Sequence, residues 1–341
     1  DTVNPWISFD ELKTKFGAKN YSALELKRGA INLLERLDFD IREIREQMSQ
    51  TVKPQYKRNV WFTDKDENQA LSLRHSGDVL YEKETPFQKV KVIETYAYGK
   101  ALTIDNMFMC TEKDEFHYHE MITHPAMLSH GDVKRVLVIG GGDGGTIREI
   151  FKHQGVEHVD MVEIDEAVVE ASKLHLPSLS QAFDHPKLNL IIGDGIKFAQ
   201  EAADTTYYIV IVHASDPVGP AEGLFSTEFY TNCKRILKEN GLLVTQGESP
   251  KFNTATFAEL NACLKEIYGE TKVYTLLFNI PTYPSGVWSI QIGSKGKVVP
   301  KEFDAAKAEN FIQNNVMHYY NPELHKGAFA LPTYVKRLLN E

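Results

Sequence analysis

Val136-Leu137-Val138-Ile139 is an unbroken apolar run, short and closed by glycines, so it reads as a buried parallel strand followed by a turn and a helix start at 135–150. Similar runs near 157–163, 188–192, 207–213, 241–246 and 271–278 alternate with stretches of helical spacing. That alternation predicts an α/β fold with a doubly wound, mostly parallel, Rossmann-like sheet. Residues 301–341 read as mostly helical, broken at Pro322 and Pro332. Ahead of this region, 70–75, 88–96, 100–106 and 107–115 are β-rich. Val90 and Val92 alternate with Lys89 and Lys91, and Tyr98-Gly99 and Asp105-Asn106 look like turns, which predicts a small antiparallel sheet. A helix over 117–128 leads on to the central strand. The chain opens with helical spacing at 8–16 and 22–50, where Leu26, Ala30, Leu33, Leu34, Leu37, Ile41 and Ile44 share a face until Pro54. The expected division is therefore a helical extension over 1–60, an antiparallel β domain over 61–125, and a Rossmann-like domain with C-terminal helices over 126–341.

Composition narrows the partners. At 341 residues and 42% hydrophobic, the chain can build one large or two modest cores. A formal charge of −9 argues against nucleic acid and acidic membranes as partners and is compatible with cationic ligands. Cys110, Cys233 and Cys263 are scattered without a CxxC pair, so neither a disulfide framework nor a local metal site is expected. No apolar run approaches a membrane span, and no basic-then-apolar leader follows Asp1; the cytoplasm is the expected compartment.

The glycine turn carries the first chemistry. Gly140, Gly142 and Gly145 satisfy GxGxxG, and Glu163 ends the next strand where a ribose-binding acid belongs, a pattern that suggests a dinucleotide. Asp143 inside the turn counts against that, because a carboxylate there repels a pyrophosphate. A cationic, phosphate-free ligand such as an adenosyl-sulfonium compound fits better. Two more acidic turns follow at strand ends. Asp194-Gly195 could accept from an adenine amino group or simply form a turn, and His213-Ala214-Ser215-Asp216-Pro217-Val218-Gly219-Pro220 reads as a shaped loop over the same sheet edge.

The ordered motifs GGGDGG, VEID, GDG, SDPVGPAEGLF, QGES, PTYPSG and YYNPELHKGAFALP closely resemble the spermidine synthase (polyamine aminopropyltransferase) family over roughly 61–341, and TEKDEFHYHEM and PSGVWS look most like its bacterial branch. The resemblance implies a methyltransferase-type sheet, no metal and no cofactor beyond a co-substrate. It also implies transfer of an aminopropyl group from decarboxylated S-adenosylmethionine to a diamine, usually putrescine, by a homodimer or homotetramer. Carried over by position, Gln88, Asp143, Glu163, Asp194, Gly195 and Pro220 would bind the donor, with Asp143 on the aminopropyl ammonium. Tyr118, His119, Asp216, Tyr283 and, as a less certain wall, Trp61 would line the diamine channel.

One position departs from the family. Where an Asp is expected to deprotonate the attacking amine, in an Asp-Ser-Ser-Asp or Asp-Ser-Thr-Asp run, this chain has His213-Ala214-Ser215-Asp216, and Tyr208 stands where an Asp commonly opens the strand. A neutral imidazole can accept a proton near pH 7, whereas a protonated one would repel the substrate. His213 and Asp216 are thus the candidate catalytic residues, with three accounts of His213 open: an alternative base, a changed acceptor, or weakened activity. A non-catalytic homologue that binds the donor nucleoside is the competing function, and a methyltransferase on the same fold is disfavoured by Asp143. The first 60 residues lie outside the resemblance and read as either an oligomerisation element or a cap.

Overall fold

The computed structural model describes residues 60–65, 69–215 and 223–340. The expected N-terminal helices and the linker up to residue 59 lie outside the described residues, as do Asp216 and Pro220.

Five strands, β1 (Val60–Lys65), β2 (Ala70–Glu84), β3 (Lys89–Thr95), β4 (Gly99–Ile104) and β5 (Met107–Thr111), pair antiparallel in chain order. The sequence pattern missed β1 and cut β2 short. Beyond His75 the register of β2 shifts, and its last residues, Glu82 to Glu84, are charged and exposed, while Leu80 and Tyr81 pack partly buried on the core, so the hydrophobic pattern does not carry on in one period. The sheet curls until its two outer strands meet. Phe62 packs edge-on against Phe108 at 5.0 Å, and Asp64 Oδ2 accepts the Phe108 N–H at 2.8 Å.

Helix α1 (Glu115–His130) links this sheet to the larger one and is buried over most of its length, which accounts for its lack of a polar stripe. Buried Glu120 accepts backbone N–H groups from His318, Tyr319 and Tyr320 at 2.7–2.9 Å, tying the C-terminal segment to it. Three helices follow in that segment, Ala305–Asn314, Pro322–Ala328 and Thr333–Leu338, with both expected prolines at helix starts.

The larger sheet has seven strands: β6 (Arg135–Gly140), β7 (His158–Glu163), β8 (Leu188–Ile192), β9 (Tyr207–His213), β10 (Leu237–Gln246), β11 (Val273–Asn279) and β12 (Val287–Ser294). They lie in the order β11-β12-β10-β9-β6-β7-β8. The first five strands in sequence run parallel, and β12 runs antiparallel to both its neighbours. β12 was not expected. A short connection through Pro281 and Pro284 folds the chain straight back beside β11, so the strand–helix alternation stops there. Successive residues of the central strands point to opposite cores. Val136, Val138, Ile209 and Ile211 pack with Met121 and Ile122 of α1, while Leu137, Ile139, Val210 and Val212 pack with Phe229, Leu260 and Leu264. Burial on both faces is why these strands are apolar without a break.

Strand order reverses between β6 and β9, which opens a crevice at their carboxyl ends. There Gly140 lies opposite His213. Gly140 has φ +80°, and a Cβ on it would meet the His213 carbonyl oxygen at 2.2 Å. Gly140→Ala should therefore destabilise the fold by at least about 2 kcal/mol; chemical denaturation checks this, and a smaller loss would mean that the two strands can part at no cost.

Candidate active site

A cavity of about 170 Å³ occupies this crevice. Gln88, Tyr118, Asp143, Glu163, Asp194, Gly195, His213 and Tyr283 line it, together with Asp64, Gln246 and Trp288, which the sequence did not single out. The structure does not bring Trp61 to this cavity. Alternation along β1 turns Phe62 and Asp64 inward and leaves Trp61 58% exposed on the other face.

His119 sits one layer behind the wall, 1% exposed, and is not part of the lining. Its ring lies against the glycine turn, where a Cβ on Gly145 would come within 2.3 Å of Nδ1. From there it completes a buried chain of alternating charge. Arg148, on helix α2 (Gly145–Phe151), makes a two-pronged contact with Glu115 at 2.9 Å on each oxygen. Glu115 Oε2 meets His119 Nδ1 at 2.5 Å, and His119 Nε2 meets Asp143 Oδ1 at 3.0 Å. Asp143 Oδ1 also accepts the Gly145 N–H at 2.7 Å. Burial opposes charge on His119, yet Asp143 and Glu115 on either side outweigh it and hold the imidazolium up to about 10. Asp143 is likewise opposed by burial, and His119 beside it holds the carboxyl well below the usual range.

His213 has the opposite balance. Burial pushes its imidazole down to about 4, with the His119 charge adding to the effect and Asp143 countering it. The 3.7 Å contact of His213 Nε2 with Asp143 Oδ2 is therefore between a neutral ring and a carboxylate and is not an ion pair. Thr146 Oγ1 holds the other nitrogen, Nδ1, at 3.0 Å, and the Tyr118 ring packs 4.8 Å from the imidazole.

Of the positions expected on the donor side, Asp143, Glu163, Asp194 and Gly195 lie at the ends of β6, β7 and β8 and in the turns that follow them. Glu163 is buried, and desolvation lifts its carboxyl to about 7, against the N–H groups of Asp165 and Gly142 that donate to it. Asp194 uses Oδ1 to cap the next helix, accepting from Ile196 and Lys197, so the turn role holds, and it also borders the cavity. Gln88 lines the cavity from the start of β3. Tyr283 donates its hydroxyl to the Met109 carbonyl at 2.7 Å, Trp288 Nε1 donates to Gln246 Oε1 at 3.2 Å, and the two rings meet edge to face at 4.9 Å, fixing one wall. The i, i+4 spacing of Glu115 and His119 was a signal that could have exposed their pairing. Gln246 and Trp288 lie within the QGES and PSGVWS motifs but were given no role there, and Asp64 left no comparable trace.

A crevice at the switch point of a doubly wound sheet, lined by four acidic side chains, defines a ligand site of the kind enzymes of this fold use. Comparison with known proteins makes the class specific. Residues 115–302 match the spermine/spermidine synthase domain, and 60–112 match the spermidine synthase tetramerisation domain. A polyamine aminopropyltransferase of Thermoanaerobacter sp. (strain X514) is 46% identical over 283 residues, covering 83% of this chain and 99% of that protein. The Methanocaldococcus jannaschii polyamine aminopropyltransferase is 45% identical, covering 82% and 95%. A spermidine synthase solved with the transition-state analogue AdoDATO superposes with a TM-score of 0.80 at 33% identity, over 85% of this chain and 99% of that one. The Thermotoga maritima spermidine synthase gives 0.78 at 33%, over 85% and 98%. The chain belongs to the spermidine synthase family of polyamine aminopropyltransferases.

Because the folded imidazole of His119 holds its proton up to about 10 against an ordinary 6.5, its stabilising contribution is complete below pH 6.5 and is lost as pH rises through 10. Denaturation of the parent and of His119→Gln at pH 6, 8 and 10 should show the gap between them closing as pH rises; a constant gap would mean that His119 is not held as an imidazolium.

Proposed function

We propose that the chain moves the aminopropyl group of decarboxylated S-adenosylmethionine to putrescine, giving spermidine and methylthioadenosine. The observation that carries this reading is Asp143. Its Oδ1 is held by His119 and the Gly145 N–H, and the residue lines the cavity beside His213, a fixed anion for the donor's terminal ammonium. Intact S-adenosylmethionine would bring a carboxylate to the same place and be repelled, which separates this chemistry from methyl transfer. Glu163 is positioned for the ribose hydroxyls, Asp194 and Gly195 for the adenine, and Gln88 for the donor's sulfonium side. Tyr118 and Tyr283 wall the acceptor channel. His119 acts through Asp143 rather than on the acceptor. Asp216 and Pro220 are carried over from the resemblance alone.

In this reaction the neutral amine of the acceptor attacks the carbon beside the sulfonium. The C–S bond breaks, its electrons stay on sulfur, and the new secondary amine sheds a proton. His213 Nε2 is the base we assign. Thr146 Oγ1 meets Nδ1, and with the neutral ring's one proton on that nitrogen Nε2 is the free acceptor. It lacks the charge of a carboxylate, so the diammonium acceptor is held less tightly. The match of 60–112 to a tetramerisation domain supports a homo-oligomer, as dimer or tetramer. Among the described residues no helix is long and apolar enough to cross a membrane, and we place the enzyme in the cytoplasm.

Incubation with decarboxylated or intact S-adenosylmethionine and a panel of diamines tests the reading. Methylthioadenosine formation, fastest with putrescine, is expected, and S-adenosylhomocysteine would overturn it. Binding of methylthioadenosine by calorimetry without any turnover would favour the nucleoside-binding homologue, for which His213 and Ala214 speak. His213→Asp should raise turnover with putrescine about tenfold or more through a restored anion; unchanged or lower turnover would mark the histidine as specialised.

A further inference from the structure

We propose that Asp114 is a positioning residue that sets the separation of Tyr118 and Tyr283, and with it the enzyme's preference among diamines; the proposal rests on the acceptor channel assigned above. Asp114 holds the N-cap position of α1, where an aspartate ordinarily accepts N–H groups of its own helix, yet its side chain makes no such bond. Instead Oδ2 accepts the N–H of Thr282 at 3.0 Å and its hydroxyl at 2.6 Å, from 168 residues along the chain, and Oδ1 accepts the Thr111 hydroxyl at 2.6 Å. Asp114 is 2% exposed, and both threonines are fully buried. An uncapped helix start and a buried carboxyl are each unfavourable. A chain that departs from a local rule in this way does so where the carboxyl serves something else, and here that is the loop from Ile280 to Gly286.

The two sides of this knot carry the two tyrosines. Tyr118 lies one turn along α1 from Asp114, and Tyr283 follows Thr282 directly. Their ring centres are 6.0 Å apart, and both line the cavity. Two residues beyond Tyr283, Ser285 has φ +65°, a left-handed conformation that a non-glycine residue keeps only where its surroundings hold it. The Ser249 hydroxyl, 2.8 Å from that of Ser285, holds the loop after Tyr283, and Asp114 holds it before. Helix α1 is fixed separately through the pairing of Glu115 with Arg148, so loss of the Asp114 bonds falls on the loop. A diamine is apolar between its two ends, and the spacing of the aromatic walls decides how closely its methylenes are packed. Loosening the loop therefore weakens the fit of the acceptor and leaves the turns after β6, β7 and β8, on the donor side, as they are.

Steady-state kinetics of the full chain with decarboxylated S-adenosylmethionine and either putrescine or cadaverine test the proposal, alongside calorimetry with methylthioadenosine. Thr282→Val, which keeps shape and removes the hydroxyl, and Asp114→Asn should each raise KM for putrescine about tenfold and narrow the putrescine-to-cadaverine ratio of kcat/KM about threefold or more. The donor KM and the affinity for methylthioadenosine should stay at the parent values. Thr282→Ser, which keeps the hydroxyl, should hold the putrescine KM within about twofold of the parent. Should Asp114→Asn not fold, the two Thr282 variants decide. An unchanged putrescine KM in Thr282→Val, or donor and acceptor KM rising together, would overturn the proposal and leave Asp114 with a role in stability alone. A parent that forms no methylthioadenosine with any diamine would overturn the aminopropyl reading and this proposal with it, whereas a failure confined to the variants leaves that reading untouched.

Discussion

Four buried charges in a row, Arg148, Glu115, His119 and Asp143, fix where everything else in the site can be. Each is costly to take from water and tolerable only because the next has the opposite sign. The chain crosses three pieces of backbone: α2 supplies Arg148, α1 supplies Glu115 and His119, and the glycine turn supplies Asp143. A buried network of this kind is a poor source of net stability. Its effect is on geometry, since any displacement of α1 from the turn would leave a carboxylate unpaired in the interior. The same α2 also presents Thr146 to His213, so one short helix positions both side chains that flank Asp143.

The glycines follow from this constraint. Helix α1 and strand β9 both press against the turn, and the space between is taken by the His119 ring on one side and the His213 carbonyl on the other. A side chain on Gly145 or Gly140 would have to occupy those atoms. The run that first looks like a phosphate cradle is thus cleared for the protein's own histidines as well as for a ligand.

Much of the fold was legible because two-sided burial writes itself plainly: the runs at β6 and β9 need no context to be read. β12 was not legible, because an antiparallel return beside β11 is set by a tight connection and not by a change in period. Trp61 illustrates a different limit. The motif places that residue near the site, yet a period of two along β1 turns Asp64 inward instead, and nothing in the sequence settles which face is the inner one. His119 was read as a wall and stands behind one, since sequence shows which residues can meet but not in which layer. Asp143 was legible as an anion inside a glycine turn; that one of its oxygens is already committed to an imidazolium required the contact between α1 and the turn.

His213 shows how the chain of charges reaches its neighbours. An imidazole 5.4 Å, ring centre to ring centre, from the His119 imidazolium takes up a second positive charge only against the first, and burial adds to the cost. The neutral form is therefore imposed by the same network that holds Asp143 ionised. Replacing the aspartate expected from the family by this ring removes an anion without adding a cation. Of the four acidic residues in the described lining, Asp143 is held ionised beside His119, Asp64 and Asp194 each accept backbone N–H groups, and desolvation draws Glu163 toward its protonated form.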